Sequence, residues 1–333
     1  MRMSTVAVDV GYGNTKYAFS QGGKLVTQMF PSLAPPAVRA NVTGYGGGFF
    51  KARDVINVQV EGASYEVGPE VSISSAYGQT GRTLSEDFAT TAEYAALLGG
   101  ALQYTGATEI DQLVLGLPVH TAQKYAQYLR DRFTGTLNFG HGDIRVRSVA
   151  GLPQPLGSLV TFMRQCGQDY DGRNAHLVID VGYFTTDWVL ARGFTMDDTR
   201  SGGVPGGSSR IYQQIADLIA EQEGEPVAGI ERIDQALRDA TTLLFFQKEI
   251  NLQPLLEQAR AVCHAAVKEV QTRVGRSEDI RSIVLSGGGS ALYAHAIRAA
   301  FPRTPMKVLD SPCFANVRGF YDIGSSRQQR ADA

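Results

Sequence analysis

The sequence predicts an α/β protein built from two related halves, and three observations support this prediction. The first is an internal repeat, in which Asp9-Val10-Gly11-Tyr12 recurs 171 residues later as Asp180-Val181-Gly182-Tyr183. The second is an alternation of short apolar runs, typical of strands, with amphipathic stretches typical of helices. The third is a glycine-rich turn at 286–290, which lies between a strand-like run and a helix-like run.

Composition and charge exclude several classes of protein. The 333 residues are 43% apolar and 19% charged, which is typical of a folded chain long enough for two cores. The net charge of -2 gives no electrostatic reason for direct binding of nucleic acid. We therefore expect no direct contact with nucleic acid, and any association with DNA to pass through an adaptor.

Cysteine spacing and hydropathy indicate where the protein resides. Cys166, Cys263 and Cys313 lie far apart and form no CxxC pair, so neither a disulfide framework nor a zinc site is expected. No run reaches the roughly 18 apolar residues of a membrane span. The N-terminus lacks the apolar region of a signal peptide. These features predict a cytoplasmic protein.

Each copy of the repeat is predicted to form a β-hairpin with a glycine-containing turn. Both copies follow an apolar strand and precede another strand-like run, and Thr15 matches Thr186 at the same offset. Backbone N–H groups in such a turn can bind an anion, and the Asp beside it suits Mg²⁺. Two such hairpins, half a chain apart, can bind one polyphosphate from both sides.

The alternative for either copy alone is an ordinary turn, because Asp-x-Gly is common turn chemistry. The repetition at half-chain spacing favours the nucleotide interpretation. Two other nucleotide motifs are not satisfied. Gly11-x-Gly13 lacks the third glycine of a Rossmann fingerprint, and Gly23-Lys24 is followed by Leu25, with Ala18 where a P-loop has glycine.

Two further segments are candidates for the same site. Ser286-Gly287-Gly288-Gly289-Ser290 joins a strand-like run to a helix-like run, and helix N-termini favour anions. Its alternative is a flexible loop. Gln154 lies between Pro153 and Pro155, which predicts a stiff extended segment that can position a water. Its alternative is a surface loop residue.

The remaining pattern predicts elements in chain order. Ser85 is predicted to cap a helix that runs to Tyr104, and Asn41–Phe50 is predicted to be a mobile loop. The tail after Ser325 is predicted to be disordered. The other predicted strands are 113–117, 133–139 and 144–149, and the other predicted helices are 121–132, 156–168, 208–223, 230–238 and 252–274.

These motifs together resemble the actin, Hsp70 and sugar-kinase superfamily. Asp9–Lys16 and Asp180–Asp187 resemble its two phosphate motifs, and Ser286–Ser290 resembles its adenosine motif. Pro153-Gln154 and Ala315–Gly319 resemble its two connecting segments.

Within that superfamily the chain is most similar to the ParM/StbA group of plasmid-segregation actins. Phe30-Pro31-Ser32, Tyr65–Gly68 and Leu115–Val119 carry this similarity, and the set is also similar to protein D of the PRTRC system. The ParM group often has Glu where this chain has Gln154, and a Gln cannot act as a general base at neutral pH. The resemblance therefore implies slow hydrolysis, with Gln154 orienting a water.

The resemblance implies an actin-like ATPase fold, with two α/β domains whose mixed five-stranded sheets flank a nucleotide cleft. Domain I would comprise 1–152 with the C-terminal helix 312–325, and domain II would comprise 153–311. Asp9, Asp180 and Gln154 would be catalytic, and Asp9 and Asp180 would hold Mg²⁺. Residues expected to contact ATP or ADP are Gly11, Tyr12, Gly13, Asn14, Lys16, Gly182, Tyr183, Thr186, Gly287, Gly288 and Ser290.

The implied function is a polymerising ATPase that forms dynamic filaments for plasmid or DNA segregation, with a ParR-like DNA-binding adaptor. A small-molecule kinase or phosphatase of the same superfamily is an alternative, although no base replaces Gln154. A nucleotide-sensing scaffold is another alternative. An Hsp70-type chaperone does not fit, because about 330 residues hold only the ATPase core.

Overall fold

The structure is a computed structural model that describes residues 1–37, 52–72 and 85–331, with side chains described up to residue 326. The predicted loop Asn41–Phe50 lies outside the described residues. The chain divides into two compact units. Unit 1 comprises Met1–Leu117, Lys124–Gly151 and Gly324–Ala333, and unit 2 comprises Pro118–Gln123 and Leu152–Ile323.

Unit 1 is built on a mixed sheet. Its elements are β1 (Arg2–Val10), β2 (Asn14–Gln21), β3 (Lys24–Pro31), β4 (Ile56–Val60), β5 (Ala63–Val67), α1 (Ala92–Thr105), β6 (Glu109–Leu117), α2 (Val119–Phe133), β7 (Gly135–Asn138) and β8 (Asp143–Pro153). The first turn of α2 belongs to unit 2. The strand order is β3-β2-β1-β6-β8-β7, and β4 and β5 form a separate hairpin. β1 is antiparallel to β2 and parallel to β6, and its side chains from Thr5 to Val10 are buried.

Unit 2 contains a second mixed sheet and most of the helices. Its elements are α3 (Gln154–Cys166), β9 (Ala175–Val181), β10 (Thr185–Arg192), β11 (Thr195–Met196), β12 (Gly202–Pro205), α4 (Ser209–Glu223), α5 (Glu231–Arg238), β13 (Leu243–Phe245), β14 (Lys248–Ile250), α6 (Gln253–Ala259), α7 (Cys263–Val274), β15 (Ile280–Ser286), α8 (Ser290–Ala300), β16 (Met306–Val308) and α9 (Ala315–Ala331). The strand order is β11-β10-β9-β15-β16, with β12 also paired to β10.

The sequence repeat corresponds to a repeat in the structure. β1 and β2 form an antiparallel hairpin with a parallel neighbour, β6, and β9 and β10 form one with a parallel neighbour, β15. Asp9 pairs with Lys16 in the first hairpin, and Asp180 pairs with Asp187, at the same register, in the second. The predicted pair of hairpins is confirmed.

The faces of β9 determine where Asp180 lies. Leu177 and Ile179 join the core cluster that includes residues of α7 and α8, whereas Val178 packs with Leu159 of α3. Because side chains alternate along a strand, Asp180 lies on the same face as Val178. The sheet therefore holds this carboxylate on the α3 face, at the end of its strand.

Several predicted details differ from the structure. In the described residues each main sheet has six strands, counting β12, instead of the five that the resemblance implied. Ser85 does not cap α1. That N-cap is Thr91, whose hydroxyl accepts a hydrogen bond from the Tyr94 N–H at 3.1 Å, because a 3-10 turn at Phe88–Thr90 comes first.

The predicted helix 252–274 is divided into α6 and α7 by a 3-10 turn at Arg260–Val262. Apolar residues keep a helical spacing through both parts, which is why the pattern predicted one helix. The prediction of a disordered tail after Ser325 is also wrong, since α9 continues to Ala331. Among the described residues, no helix is both long enough and apolar enough to cross a membrane.

His176 on β9 predicts a pH dependence of stability. Its ring packs against Phe162 and Tyr170, with Nδ1 2.8 Å from the Ser282 hydroxyl, and burial lowers the pKa of His176. The unfolded chain therefore takes up a proton first, so stability falls as the pH drops below about 6.5 towards the lowered pKa of the folded state.

Urea unfolding between pH 7.5 and 5 measures this effect. We expect His176→Gln to lose less stability on acidification than the unchanged protein. The matched control is His264→Gln, because His264 is exposed and should retain the full pH dependence. If the unfolding free energy of all three proteins changes equally with pH, His176 is not the source of the pH dependence.

Candidate functional site

The turn of the first hairpin is held in shape by a buried serine. The Ser32 hydroxyl donates to the Gly11 carbonyl at 2.5 Å and lies 2.9 Å from the Thr15 hydroxyl, and the Ser32 N–H donates to the Gly13 carbonyl. The Gly11 N–H donates to the Asp9 carbonyl at 3.0 Å. Ser32 belongs to the Phe30-Pro31-Ser32 motif, but sequence analysis gave it no role in the site.

A carboxylate and an ammonium group lie together beside this turn. Asp9 is buried, and its Oδ2 lies 3.5 Å from the Lys16 Nζ on the paired strand. A Cβ on Gly11 would lie 3.3 Å from that Nζ and 3.1 Å from the Asn14 carbonyl, so the position is tight for any side chain. The turn thus combines backbone N–H groups, one cation and one carboxylate, which is suited to a phosphate with a metal ion.

Only the backbone of Tyr12 belongs to the turn, because its side chain makes contacts outside the turn. Its hydroxyl donates to the Ser85 carbonyl at 2.7 Å, and its ring stacks on Phe88 with centroids 5.0 Å apart. These contacts of the buried ring with Ser85 and Phe88 hold the turn in place.

The second hairpin turn is built against a segment that sequence analysis missed. The N–H groups of Gly206 and Gly207 donate to the Phe184 carbonyl at 2.8 and 2.9 Å, and the Ser208 N–H donates to the Gly182 carbonyl at 3.0 Å. The Thr186 hydroxyl donates to the Gly206 carbonyl, so Thr186 shapes the turn. The missed signal was a glycine pair directly before a helix, the same pattern as at 286–290.

Asp180 belongs to a buried polar network within unit 2. The Asn316 Nδ2 donates to the Asp180 Oδ2 at 2.6 Å, and the Ser158 hydroxyl donates to the Asn316 Oδ1 at 2.5 Å. The Ser286 hydroxyl lies 3.4 Å from the Asp180 Oδ1. Elements α3, α9 and β15 thereby fix one carboxylate. Asn316 was part of a recognised segment, but nothing local in the sequence showed that it reaches Asp180.

The triple-glycine turn lies directly against this carboxylate. Gly287 has φ +87°, and a Cβ there would lie 2.4 Å from the Asp180 Oδ1 and 2.2 Å from the Val181 carbonyl. The Gly289 N–H donates to that carbonyl at 2.9 Å, and α8 begins at the buried Ser290. A Cβ on Gly288, in contrast, would meet nothing within 4 Å. The turn therefore packs on Asp180 on one side and is open at Gly288.

Gln154 is the first residue of α3 and is buried, so the predicted extended segment is wrong. Pro155 suits the first helical turn, where its missing N–H has no intrahelical partner and its fixed φ matches the helix. Asp187 is also buried, and its Oδ1 accepts from the Val119 N–H at 2.8 Å, where α2 begins. This carboxylate caps the start of a helix, so its role in unit 2 is structural.

The predicted site residues fall into one group in each unit. Unit 1 brings together Asp9, Gly11, Tyr12, Gly13, Asn14 and Lys16 around the first turn, and unit 2 brings together Asp180, Gly182, Tyr183, Thr186, Gly287, Gly288 and Ser290 around the second. Gln154 lies in unit 2, on the helix whose Ser158 bonds Asn316.

The donor set fits a magnesium ion bound together with phosphates. In the described part of the chain, no three His, Cys, Asp or Glu side chains are grouped so that they could hold a metal ion by themselves. Each hairpin, taken by itself, supplies one carboxylate beside its turn. Mg²⁺ is commonly bound by one or two carboxylates plus waters and substrate phosphates, so the donors of a single hairpin suit it.

Comparisons with known proteins define the class of this fold. Residues 7–157 match the family model of the N-terminal domain of actin-like proteins, and residues 178–299 match that of the C-terminal part of the archaeal MreB-like actin homologue. The chain therefore has the actin-like ATPase fold. A comparison with curated protein sequences found no match.

Solved structures are similar over nearly the whole chain. The archaeal actin homologue Ta0583 is 20% identical with a TM-score of 0.76, covering 97% of this chain and 100% of Ta0583. A subunit of the 15-stranded ParM filament from Clostridium botulinum is 21% identical with a TM-score of 0.76, covering 98% and 100%. The ADP complex of Ta0583 is 20% identical with a TM-score of 0.74, covering 97% and 100%. At these identities the similarity establishes the fold.

The contact of Asn316 with Asp180 gives a testable prediction for this network. Asn316→Ala leaves a buried carboxylate oxygen and the Ser158 hydroxyl without this partner, so we expect a loss of about 1–3 kcal/mol of unfolding free energy. Urea unfolding measures it. Asn57→Ala is the matched control, since Asn57 is exposed on β4 and its replacement should change stability by less than about 0.5 kcal/mol. Equal stability of both variants would contradict the role of Asn316.

Proposed function

We propose that the protein binds MgATP through both hairpins, hydrolyses it slowly, and assembles into dynamic filaments according to the nucleotide bound. The observation that carries this proposal is the repeated hairpin, in which Asp9 and Asp180 are buried at the same register beside a glycine turn. Domain I as 1–152 with 312–325, and domain II as 153–311, remain part of the proposal.

The side chains of both hairpins have distinct roles in this proposal. Asp9 and Asp180 would hold Mg²⁺, and the metal ion would neutralise phosphate charge. Lys16 neutralises charge on the β- and γ-phosphate oxygens as a point cation. The backbone N–H groups that cradle these phosphates belong to Gly11, Tyr12, Gly13, Gly182 and Tyr183.

Gln154 orients the attacking water towards the γ-phosphorus. Its amide cannot remove a proton at neutral pH, so it acts by position, as Gln does in small GTPases. Its burial in the first turn of α3 limits its rotamers and supports a positioning role. Because the Gln154 amide cannot remove a proton from the attacking water, hydrolysis is slow.

The adenosine is bordered by Gly287, Gly288 and Ser290. Gly288 supports this assignment, because its Cβ position is open while Gly287 is closed off by the Asp180 carboxylate. Asn14 and Thr186 complete the two turns, Thr186 through its bond to the Gly206 carbonyl.

The rate of hydrolysis sets how long a subunit stays in its ATP-bound, assembling state. A ligand shifts a conformational equilibrium only by binding one state more tightly, and loss of the γ-phosphate removes contacts that ATP makes. End-to-end packing of copies is a heterologous contact, which propagates as a filament when it does not close. The relatives described as a ParM filament and an Alp12 filament support self-assembly.

In the cell, the filament would segregate plasmid or other DNA in the cytoplasm. Since the net charge is -2, a ParR-like adaptor would connect the filament to DNA. Deleting the gene from a plasmid that carries it should cause loss of that plasmid over generations of growth. Normal retention would contradict the segregation role and leave the ATPase proposal intact.

Light scattering with simultaneous phosphate release tests the proposed activity. With MgATP, scattering should rise and then fall as phosphate appears. A non-hydrolysable ATP analogue should give a rise without the fall, and MgADP should give little change. Phosphate release without assembly at any concentration would contradict the filament proposal and favour a small-molecule kinase or phosphatase. If MgATP produces neither a rise in scattering nor any phosphate release, the whole proposal is wrong.

A further inference from the structure

Unit 1 contains a cavity that none of the predicted site residues line. Its volume is about 250 Å³, close to the lower end of the range of small-molecule sites, roughly 300–1,000 Å³. The turn between β4 and β5, the end of α2 and the strand β7 surround it. The buried part of its lining is apolar and the more exposed part is largely polar. The apolar residues are Val60, Ala95, Phe133 and Phe139, and the polar residues are Gln59, Glu61, Arg132, Thr136 and Asn138. We call it the Arg132 cavity.

Arg132 places a fixed positive charge in the wall of this cavity. Its side chain is only 19% exposed. Its Nη1 donates to the Thr90 carbonyl at 2.9 Å and to the Tyr128 hydroxyl at 2.6 Å, and its Cζ lies 5.5 Å from the centre of the Phe133 ring. Charged side chains are rarely buried to this extent unless they are paired. A largely buried cation beside an apolar cavity is a binding group for an anion.

The carboxylate that pairs with Arg132 is easily displaced. The Arg132 Nη2 donates to the Glu61 Oε1 at 2.8 Å, but the Glu61 side chain is 71% exposed, and ion pairs with an exposed partner contribute little to stability. Glu61 also occupies the first position of a two-residue hairpin turn with φ +51°, where asparagine, aspartate or glycine is usual. A second carboxylate that makes further contacts in the cavity can therefore replace that of Glu61.

The Arg132 guanidinium retains donors for such a ligand. Three of its five N–H groups have acceptors among the described residues, which leaves the Nε–H and one Nη2–H. Nε and Nη2 form one edge of the planar guanidinium, and a carboxylate matches such an edge with its two oxygens. One cation balances one negative charge, so a carboxylate suits the cavity better than a phosphate monoester with nearly two. The apolar lining suits a short hydrocarbon or aromatic body.

A row of aromatic rings connects the cavity to the first hairpin turn within unit 1. Phe133, in the cavity wall, lies 6.4 Å from the Tyr94 ring. Tyr94 meets Phe88 edge-on at 5.6 Å, and Phe88 stacks on Tyr12 at 5.0 Å. Because Tyr12 belongs to the turn, the packing of this row joins the wall of the cavity to the turn.

Arg132 also acts on this row directly. The Thr90 carbonyl that it binds belongs to the same 3-10 turn as Phe88. Burial raises the pKa of Tyr94, the charge of Asp9 raises it further, and the charge of Arg132 lowers it. Tyr94 is therefore within electrostatic range of both the turn and the cavity.

We propose that the Arg132 cavity binds a small organic carboxylate with a short apolar body, and that its occupancy tightens nucleotide binding at the first hairpin turn. The carboxylate takes the place of Glu61 on the guanidinium, and the body packs on Phe133 and Phe139. The ligand orders Arg132 and the ring row that ends at Tyr12, so the nucleotide binds a turn that is already ordered. Binding of the carboxylate is independent of the proposed function, whereas the coupling rests on it.

Calorimetric titration of benzoate tests the site. Benzyl alcohol, which has the same ring without the charge, and inorganic phosphate should each bind at least about tenfold more weakly than benzoate. Arg132→Gln and Arg132→Lys should both weaken benzoate binding at least about tenfold, because each removes the guanidinium fork. Glu61→Gln removes the competing charge and should tighten benzoate binding about threefold or more. Arg130→Gln is the matched control on the exposed side of the same helix and should bind benzoate within about twofold of the unchanged protein.

Three results would overturn the site. They are no binding of benzoate, benzoate binding that neither Glu61→Gln nor Arg132→Lys changes, and phosphate binding as tight as that of benzoate. The exposed Glu61 lies on the surface, so the first of these variants keeps the test valid even where a change at Arg132 prevents folding.

Titration of ADP with and without saturating benzoate tests the coupling. Benzoate should raise the affinity for ADP about fivefold or more. Phe88→Leu interrupts the ring row at a residue outside the cavity lining, so it should bind benzoate normally and lose this rise. An ADP affinity that benzoate leaves unchanged overturns the coupling. A protein that binds benzoate and no ADP overturns the proposed function and supports the site.

Discussion

Replacing Asp180 with asparagine should reduce ATP-dependent phosphate release by about 100-fold or more, the scale seen when one preorganised electrostatic group is removed from an active site. The substitution keeps the size of the side chain and lets its oxygen accept the hydrogen bond from the Asn316 Nδ2. It removes the charge that a magnesium ion requires. The fold should therefore survive while hydrolysis is lost, which single-turnover phosphate release measures.

Asp171→Asn is the matched control for that substitution. Asp171 lies in the loop before β9, nine residues ahead of Asp180, and pairs with Arg173 at the surface of the same unit. Its replacement should leave phosphate release within about twofold, since surface changes have small effects. Equal activity of Asp180→Asn and Asp171→Asn would remove Asp180 from the site.

Gly287→Ala should damage both stability and nucleotide binding. The added Cβ would lie 2.4 Å from the Asp180 Oδ1 and 2.2 Å from the Val181 carbonyl, at φ +87°, so the turn must move. We expect a loss of about 2 kcal/mol or more of unfolding free energy, from overpacking and backbone strain together. The affinity for ADP should fall at least about tenfold, which is 1.4 kcal/mol of binding energy.

Gly288→Ala is a control one residue away. A Cβ at this position meets no protein atom within 4 Å, so unfolding in urea should change by less than about 0.5 kcal/mol. Any loss of ADP affinity in this variant, without loss of stability, would indicate that the ligand approaches Gly288. Equal stability losses at both positions would contradict the packing of the turn on Asp180.

The two hairpins could be predicted because their signal is local and occurs twice. The Asp, the glycine and the flanking apolar strands all lie within about ten residues, and the copies share one register in the structure. The triple-glycine turn before α8 was predictable for the same reason. Lys16 was predictable as a member of the motif, and its Nζ lies 3.5 Å from Asp9.

Contacts between distant segments could not be predicted in this way. Asn316 reaches Asp180 from 136 residues away, and its amide is compatible with many surface positions. Ser85 satisfies the pattern of a helix cap, but the competing turn at Phe88–Thr90 moves the start of α1 to Thr91. Gln154 was placed in an extended segment because prolines flank it, although Pro155 is equally suited to a first helical turn.

The hairpin of β13 and β14 illustrates another limit of the sequence. Leu243, Leu244, Phe245 and Phe246 form a continuous apolar run, and the sequence alone does not show which of them are buried. The short hairpin separates them, so that Leu243 and Phe245 face the core while Leu244 and Phe246 face outward. The alternation is that of a strand with two faces.

Calorimetric titration of MgATP tests the central claim, that both hairpins bind a single nucleotide. The account predicts one nucleotide per chain for the wild type. It also predicts that Asp9→Asn and Asp180→Asn each weaken the binding of that one nucleotide about tenfold or more. Two nucleotides per chain, with each substitution abolishing only one of them, would show that the hairpins are independent sites and would contradict the claim.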